Sequence, residues 1–195
     1  MNISLLKKAA KYPVKCMRKF YNFVQIKRFQ VAYKGKLEIN GRIYISGKGI
    51  SLGKGVRINS GFRFNPIGGD TRTMMVTRGN GRIIIGENTG ISNSAIVAYQ
   101  LVEIGKNVLV GGSCKIYDTD FHSLSEKIRT SQPLEDIVSK PVIIKDGAFI
   151  GAHTIILKGV IIGENSIVGA GSVVTKSIPD REIWAGNPAR FIRSI

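Results

Sequence analysis

Histidine and cysteine each occur only twice in these 195 residues, and tryptophan once. Two cysteines, Cys16 and Cys114, are too few to staple a small secreted scaffold. No apolar run approaches the roughly 18 residues of a membrane-spanning helix, which excludes an integral helical membrane protein. The N-terminus is basic, but no uninterrupted apolar stretch of about seven residues follows it, so no secretory signal is expected and the expected home is the cytoplasm. Acidic residues are absent altogether from positions 1–36, which carry ten Lys or Arg. The remaining 159 residues hold 19 basic and 13 acidic side chains, so most of the net charge of +16 belongs to the N-terminal segment. A nucleic-acid partner is therefore not expected of the body of the chain. With 43% hydrophobic and 22% charged residues, the chain is not a wholly disordered one.

What is abundant is Ile and Val at a fixed spacing. From Ile144 an aliphatic side chain falls at every sixth position: Ile144, Ile150, Ile156, Ile162, Val168, Val174. Glycine follows three of them (Gly151, Gly163, Gly169), and small or β-branched residues mostly sit four places on (Ala148, Thr154, Val160, Ser166, Ser172). Shorter runs repeat the period upstream: Ile104, Val110, Ile116; Ile85, Ile91, Val97; and Leu52, Ile58, Phe64. Six matches neither the helical period nor the strand period. It is the length of one short strand plus one corner, with one side chain pointing inward per strand. Three such faces close a coil of about 18 residues, and stacked coils bury a continuous aliphatic column. Coils are predicted at 85–102, 104–121, 144–161 and 162–179, with looser ones across 39–64.

Two stretches break the period. Residues 122–141 are polar and charged, with Pro133 and Pro141, and read as a loop thrown out from a corner. Residues 65–82 read as a less regular insertion. In the basic N-terminal segment, a helix is predicted to begin at Pro13, a favourable first helical position. Val14, Met17, Tyr21 and Val24 then share one face. Two readings stay open for this helix: a cap over the open end of the coil stack, or a basic amphipathic helix in peripheral contact with an anionic bilayer at the inner face of the membrane.

The spaced [Ile/Val]-Gly-x-x-[small]-x units, the stretch Tyr117-Asp-Thr-Asp-Phe-His122-Ser and the ending Ile183-Trp-Ala-Gly-Asn-Pro-Ala-Arg190 together resemble the hexapeptide-repeat acyltransferases. Within them the sequence is most similar to sugar and polysaccharide O-acetyltransferases of the galactoside and maltose acetyltransferase kind. The resemblance covers roughly residues 40–195 and is specific from Glu103 to Arg193. It implies an all-β fold, a left-handed parallel β-helix of hexapeptide repeats with a short N-terminal helical segment and an extruded loop. The expected division is a basic segment 1–36, an acyltransferase β-helix 37–180 carrying the loop 122–141, and a C-terminal cap 181–195. The resemblance further implies a homotrimer with active sites between neighbouring subunits, acetyl-CoA as co-substrate, no required metal, and a sugar or glycan acceptor.

By residue type alone, His122 is a loop histidine that reads equally as a solvated side chain. The resemblance makes it the catalytic base: an alcohol is a poor nucleophile at neutral pH, and an imidazole can take its proton as it attacks a thioester. His153, inside a regular coil, reads as a packing or hydrogen-bonding residue at the subunit boundary. Zinc-dependent carbonic anhydrases share the β-helix architecture but use three histidines, and only two are present here. Asp118 and Asp120 either orient the imidazole or bind a sugar hydroxyl, and otherwise are solvated carboxylates; the resemblance adds Asn93 on the acceptor side. For the coenzyme the resemblance assigns the Ala152 backbone N–H to the thioester oxyanion. It sets Ala170, Thr175 and Lys176 along the pantetheine arm and adenine, and Arg190 and Arg193 at the nucleotide phosphates. The activity implied is O-acetylation of a sugar in capsule, lipopolysaccharide or other surface glycan synthesis. The alternatives are an N-acyltransferase of an amino sugar and a xenobiotic acetyltransferase on the same fold.

Overall fold

The structure, a computed structural model, describes residues 3–69, 71–131 and 137–195, with side chains from Pro13 onward apart from Ser131. Pro133 of the predicted loop lies outside the described residues. Short strands wind into three sheets of six, eight and six strands, parallel except for the last strand of the second, here called the first, second and third faces. Each coil contributes one strand to each face in turn. The fourth coil, for example, is Leu101–Ile104, Leu109–Val110 and Lys115–Tyr117, and the fifth is Val142–Ile144, Phe149–Ile150 and Ile155–Ile156. The architecture is the all-β, left-handed parallel β-helix.

All six residues of the long periodic run point inward and are buried. Their stacking explains the period: Ile144 lies over Ile162, Ile150 over Val168 and Ile156 over Val174, a step of 18 residues at every face. Upstream the step is longer. Val102 pairs with Ile83 and Val110 with Ile91, nineteen apart, and Ile116 pairs with Ile96, twenty apart. The coils there run 82–98 and 101–117, not 85–102 and 104–121. Ile96, fully buried, holds the inward position expected of Val97, and Phe64 stands in a turn outside the aliphatic column. The cause is corner length: each added corner residue shifts the inward position by one. One edge needs a left-handed residue at each level, supplied by Gly55, Asn88, Asn107, Gly147 and Asn165, with φ between 55° and 74°. Glycine and asparagine adopt that conformation at least cost.

The first insertion is shorter than 65–82. It spans about 61–73, because Met74–Thr77 and Arg82–Ile85 are strands. The second leaves the stack after Tyr117 through a pinned neck. Thr119 bridges Ser139 antiparallel, the Lys140 N–H donates to the Asp118 carbonyl at 2.8 Å, and the Asp120 N–H to that of Val138 at 3.2 Å. A short helix, Glu126–Ser131, lies beyond the neck.

The N-terminal helix, α1, runs Ile3–Arg28, so Pro13 lies inside it and not at its start. An interior proline forfeits one intrahelical hydrogen bond. The docking face also differs from the one the apolar spacing predicts: Val14, Met17 and Val24 are exposed and Tyr21 only half-buried. Ile26 and the following Phe29 pack against the core, and the rest of the contact is polar. Asn22 donates to the Gly41 carbonyl at 2.8 Å and accepts from the Ile43 N–H at 3.2 Å, while Gln25 accepts from the Ile45 N–H at 3.0 Å. The open end of a β-helix presents unpaired backbone groups, and these two amide side chains satisfy three of them. At the other end Glu182–Gly186 extends the second face and Ala189–Ser194 folds back on it antiparallel.

Candidate functional site

Two long edges of the prism collect the chemistry. The edge between the third and first faces carries the end of the Lys115–Tyr117 strand, and above it Leu157-Lys158 and Thr175-Lys176 of the next two coils. Here the chain turns out into the loop at Phe121, which adopts a left-handed φ of 63°. Its ring packs edge-on to Tyr99 at 6.2 Å and tilted against Tyr117 at 5.2 Å. That wedge fixes where His122 emerges. The His122 side chain is exposed and makes no hydrogen bond or ion pair with any described residue.

The two aspartates before it differ sharply. Asp118, expected as a solvated or acceptor-binding carboxylate, is fully buried. Its oxygens accept from the N–H groups of Tyr99 at 2.8 Å, Gln100 at 2.7 Å and Leu101 at 2.7 Å. These three donors sit at the corner of the coil below, and the carboxylate is committed to them. Asp118 is thus a corner clamp, with no oxygen left facing a ligand. Asp120 is partly buried and its Oδ1 accepts from Lys158 Nζ at 2.7 Å. Its Oδ2 is buried without a hydrogen-bond donor among the described residues. Lys158 was invisible to motif reasoning; only the 40-residue register between these two coils, Ile116 over Ile156, sets it above Asp118–Asp120.

The edge between the second and third faces carries Asn93, Ala152 and Ala170. Asn93, expected on the acceptor side, is fully buried. Its Oδ1 accepts from the Gly61 N–H at 2.7 Å and its Nδ2 donates to the Asn65 carbonyl at 2.8 Å. Its amide is spent on holding the first insertion against the stack. Nε2 of His153 lies 3.0 Å from the Ile67 carbonyl of that same insertion, so His153 is engaged within its own chain.

At Ala152 and Ala170 the backbone is open. The neighbouring N–H groups are paired: Gly151 donates to Val168, His153 to Gly112, Gly169 to Trp184 and Gly171 to Ala152, each at 2.8 Å. The N–H groups of Ala152 and Ala170 themselves have no acceptor among the described residues. The glycine before each alanine is dictated by this stacking: a Cβ on Gly151 would stand 2.5 Å from the Ala170 nitrogen. Arg190 pairs with Ala185, whose Cβ lies against Gly169 on this edge. Arg193 follows, exposed, on the same last strand. Behind the edge, Cys114 donates its thiol to the Gly151 carbonyl at 3.2 Å, and burial pushes its pKa up. Among the described residues no group of three or more His, Cys, Asp or Glu is placed to hold a metal ion.

The expected site residues are thus divided. Ala152, Ala170 and Arg190 gather on one edge, and His122, Thr175 and Lys176 on the other, roughly 15 Å away across the third face.

The family described as bacterial transferase hexapeptide (six repeats) matches residues 141–176. Those 36 of the 195 residues are the segment that matches the repeat family. No curated protein matches it. Among solved structures, a hexapeptide-repeat acetyltransferase from Vibrio cholerae in complex with acetyl-CoA is 26% identical over 88% of this chain and 74% of its own, with a TM-score of 0.59. A galactoside acetyltransferase in complex with coenzyme A is 29% identical over 84% of this chain, with a TM-score of 0.57, and the match spans only 64% of that enzyme. A variant of AntD, an N-acyltransferase from Bacillus cereus bound to coenzyme A and dTDP-4-amino-4,6-dideoxyglucose, is 26% identical over 89% of both chains, with a TM-score of 0.68.

Proposed function

We propose that this hexapeptide-repeat protein transfers an acetyl group from acetyl-CoA to a sugar hydroxyl during surface-glycan synthesis in the cytoplasm. The observation that carries the reading is the pair of unpaired N–H groups, Ala152 and Ala170, one coil apart on an exposed edge. A thioester carbonyl placed at Ala152 gains a donor for the negative charge that develops on its oxygen. His122 takes the proton of the attacking hydroxyl. Collapse of the tetrahedral intermediate breaks the C–S bond, and the imidazolium returns the proton to the departing thiolate. Ala170 and Arg190 continue the donor edge toward the coenzyme phosphates, with Arg193 beyond.

His122 and Ala152 lie on different edges of one prism, so the site is completed by a second copy. The third/first edge of one subunit, carrying His122, Thr175 and Lys176, faces the second/third edge of its neighbour. Leu109 and Phe149, exposed on the second face, supply apolar surface for that contact. Three copies close such a heterologous ring, giving a homotrimer of roughly 64 kDa.

The decisive assay follows free thiol released from acetyl-CoA while hydroxyl sugars and amino sugars are offered in turn. Hydroxyl sugars gaining one acetyl group by mass spectrometry support O-acetylation. The likeness to AntD over 89% of both chains favours the second reading, N-acylation of an amino sugar; exclusive use of amines would establish it in place of the first.

A further inference from the structure

Helix α1 docks by its polar side and turns an apolar side outward. Asn22 and Gln25 face the first coil. Exposed outside that contact stand Val14, Met17, Phe20 and Val24, by 46, 60, 69 and 40%, while Phe23, 55% exposed, lines the groove between helix and coil. Spacings of 3, 3 and 4 put the first four on one helical stripe. The cap function needs only the amides and leaves this stripe unexplained.

The charge around the stripe selects its occupant. Residues 1–36 carry ten Lys or Arg and no Asp or Glu. Lys27 and Arg28 are exposed beside the stripe, and Lys27 Nζ lies 5.9 Å from the Phe23 ring centroid. The nearest acidic side chain in sequence, Glu38, is already paired with Arg57 at 3.2 Å. Between α1 and the first coil lies a groove of about 750 Å³ with Lys15, Lys19 and Lys36 among its lining residues. A second copy of this helix would oppose like charges across the contact, a costly arrangement. An anionic lipid surface satisfies both features at once: acyl chains receive the stripe and phosphates receive the cations. No helix among the described residues is long and apolar enough to cross a bilayer, so the mode is lying in the interface plane.

We infer that α1 docks the protein on an anionic phospholipid surface through the Val14–Met17–Phe20–Val24 stripe and its flanking cations. The inference is independent of the transfer reaction. The test is flotation of the purified full-length protein with phosphatidylcholine vesicles, with and without about 30% phosphatidylglycerol. Binding is expected to the anionic vesicles alone, falling at least about tenfold between 0.1 and 0.5 M NaCl. The double substitution Met17→Ser, Phe20→Ser should lower it about tenfold or more, with an unchanged thermal midpoint and light-scattering mass. Absence of binding to anionic vesicles, or equal binding to pure phosphatidylcholine, overturns the inference. A change of oligomeric mass in the double variant overturns it too, since the stripe would then be covered by another copy.

Discussion

Lys158 Nζ stands 2.7 Å from Asp120 Oδ1, while the other oxygen of the same carboxylate is buried without a donor among the described residues. The pair ties the base of the His122 loop to the coil above it. With side-chain exposures of 25 and 21%, it sits between a surface ion pair and a buried one. Lys158→Met leaves a half-desolvated carboxylate and should cost about 1–3 kcal/mol in urea unfolding. Adding Asp120→Asn should recover part of that loss, because the stranded charge is then gone.

His122→Ala should lower kcat by at least about two orders of magnitude. Affinity for acetyl-CoA should be nearly unchanged, since Ala152, Ala170 and Arg190 are untouched. A variant turning over at close to the parental rate would remove His122 from the mechanism.

Asp118→Asn separates a corner clamp from a ligand-binding carboxylate. Three backbone N–H groups would exchange a charged acceptor for a neutral one with a single oxygen, at about 2–4 kcal/mol. The expected result is a lowered unfolding midpoint by calorimetry. An undiminished midpoint with a weakened KM for the sugar would restore Asp118 to the acceptor site.

A site shared between subunits can be rebuilt from two defective parents. His122→Ala abolishes one edge, and Ala170→Trp obstructs the other at an exposed position. Refolding an equal mixture should restore about a quarter of the parental activity, the fraction of interfaces with both edges intact. Activity that stays at the sum of the two parents would place the whole site in one chain.

Thiol chemistry reports the packing behind the donor edge. Cys16 is exposed on α1, while Cys114 is buried with its thiol pKa raised by burial. One thiol should react promptly with an aromatic disulfide reagent and the second only on denaturation. Two equally fast thiols would mean that the column beneath Gly151 opens readily.

The sequence was most informative where coils contain nothing but strand and corner. From Ile144 to Val174 every aliphatic residue of the six-residue series lines the core. Upstream, a single added corner residue hands the inward place from Val97 to Ile96, and no periodicity can announce that. The α1 face was misjudged because apolar spacing assumes a wholly hydrophobic seat, whereas the end of the β-helix offers peptide groups that select Asn22 and Gln25 beside the packed Ile26 and Phe29. Burial of Asp118 and Asn93 was equally hidden: their partners are backbone N–H and carbonyl groups, which leave no trace in side-chain chemistry. Lys158 and Asp120 meet across 38 positions only because the loop 122–141 lies between them.

The uniform 18-residue step of the last coils makes them interchangeable units. Each presents its outward side chains directly above those of the coil beneath, about 4.8 Å higher. Inserting or deleting one whole coil would therefore preserve every contact type while lengthening or shortening the donor edge by one rung. Upstream, where the step is 19 on two faces and 20 on the third, the same operation would shear the faces against one another. Change of length by duplication is thus permitted at one end of this molecule and forbidden at the other.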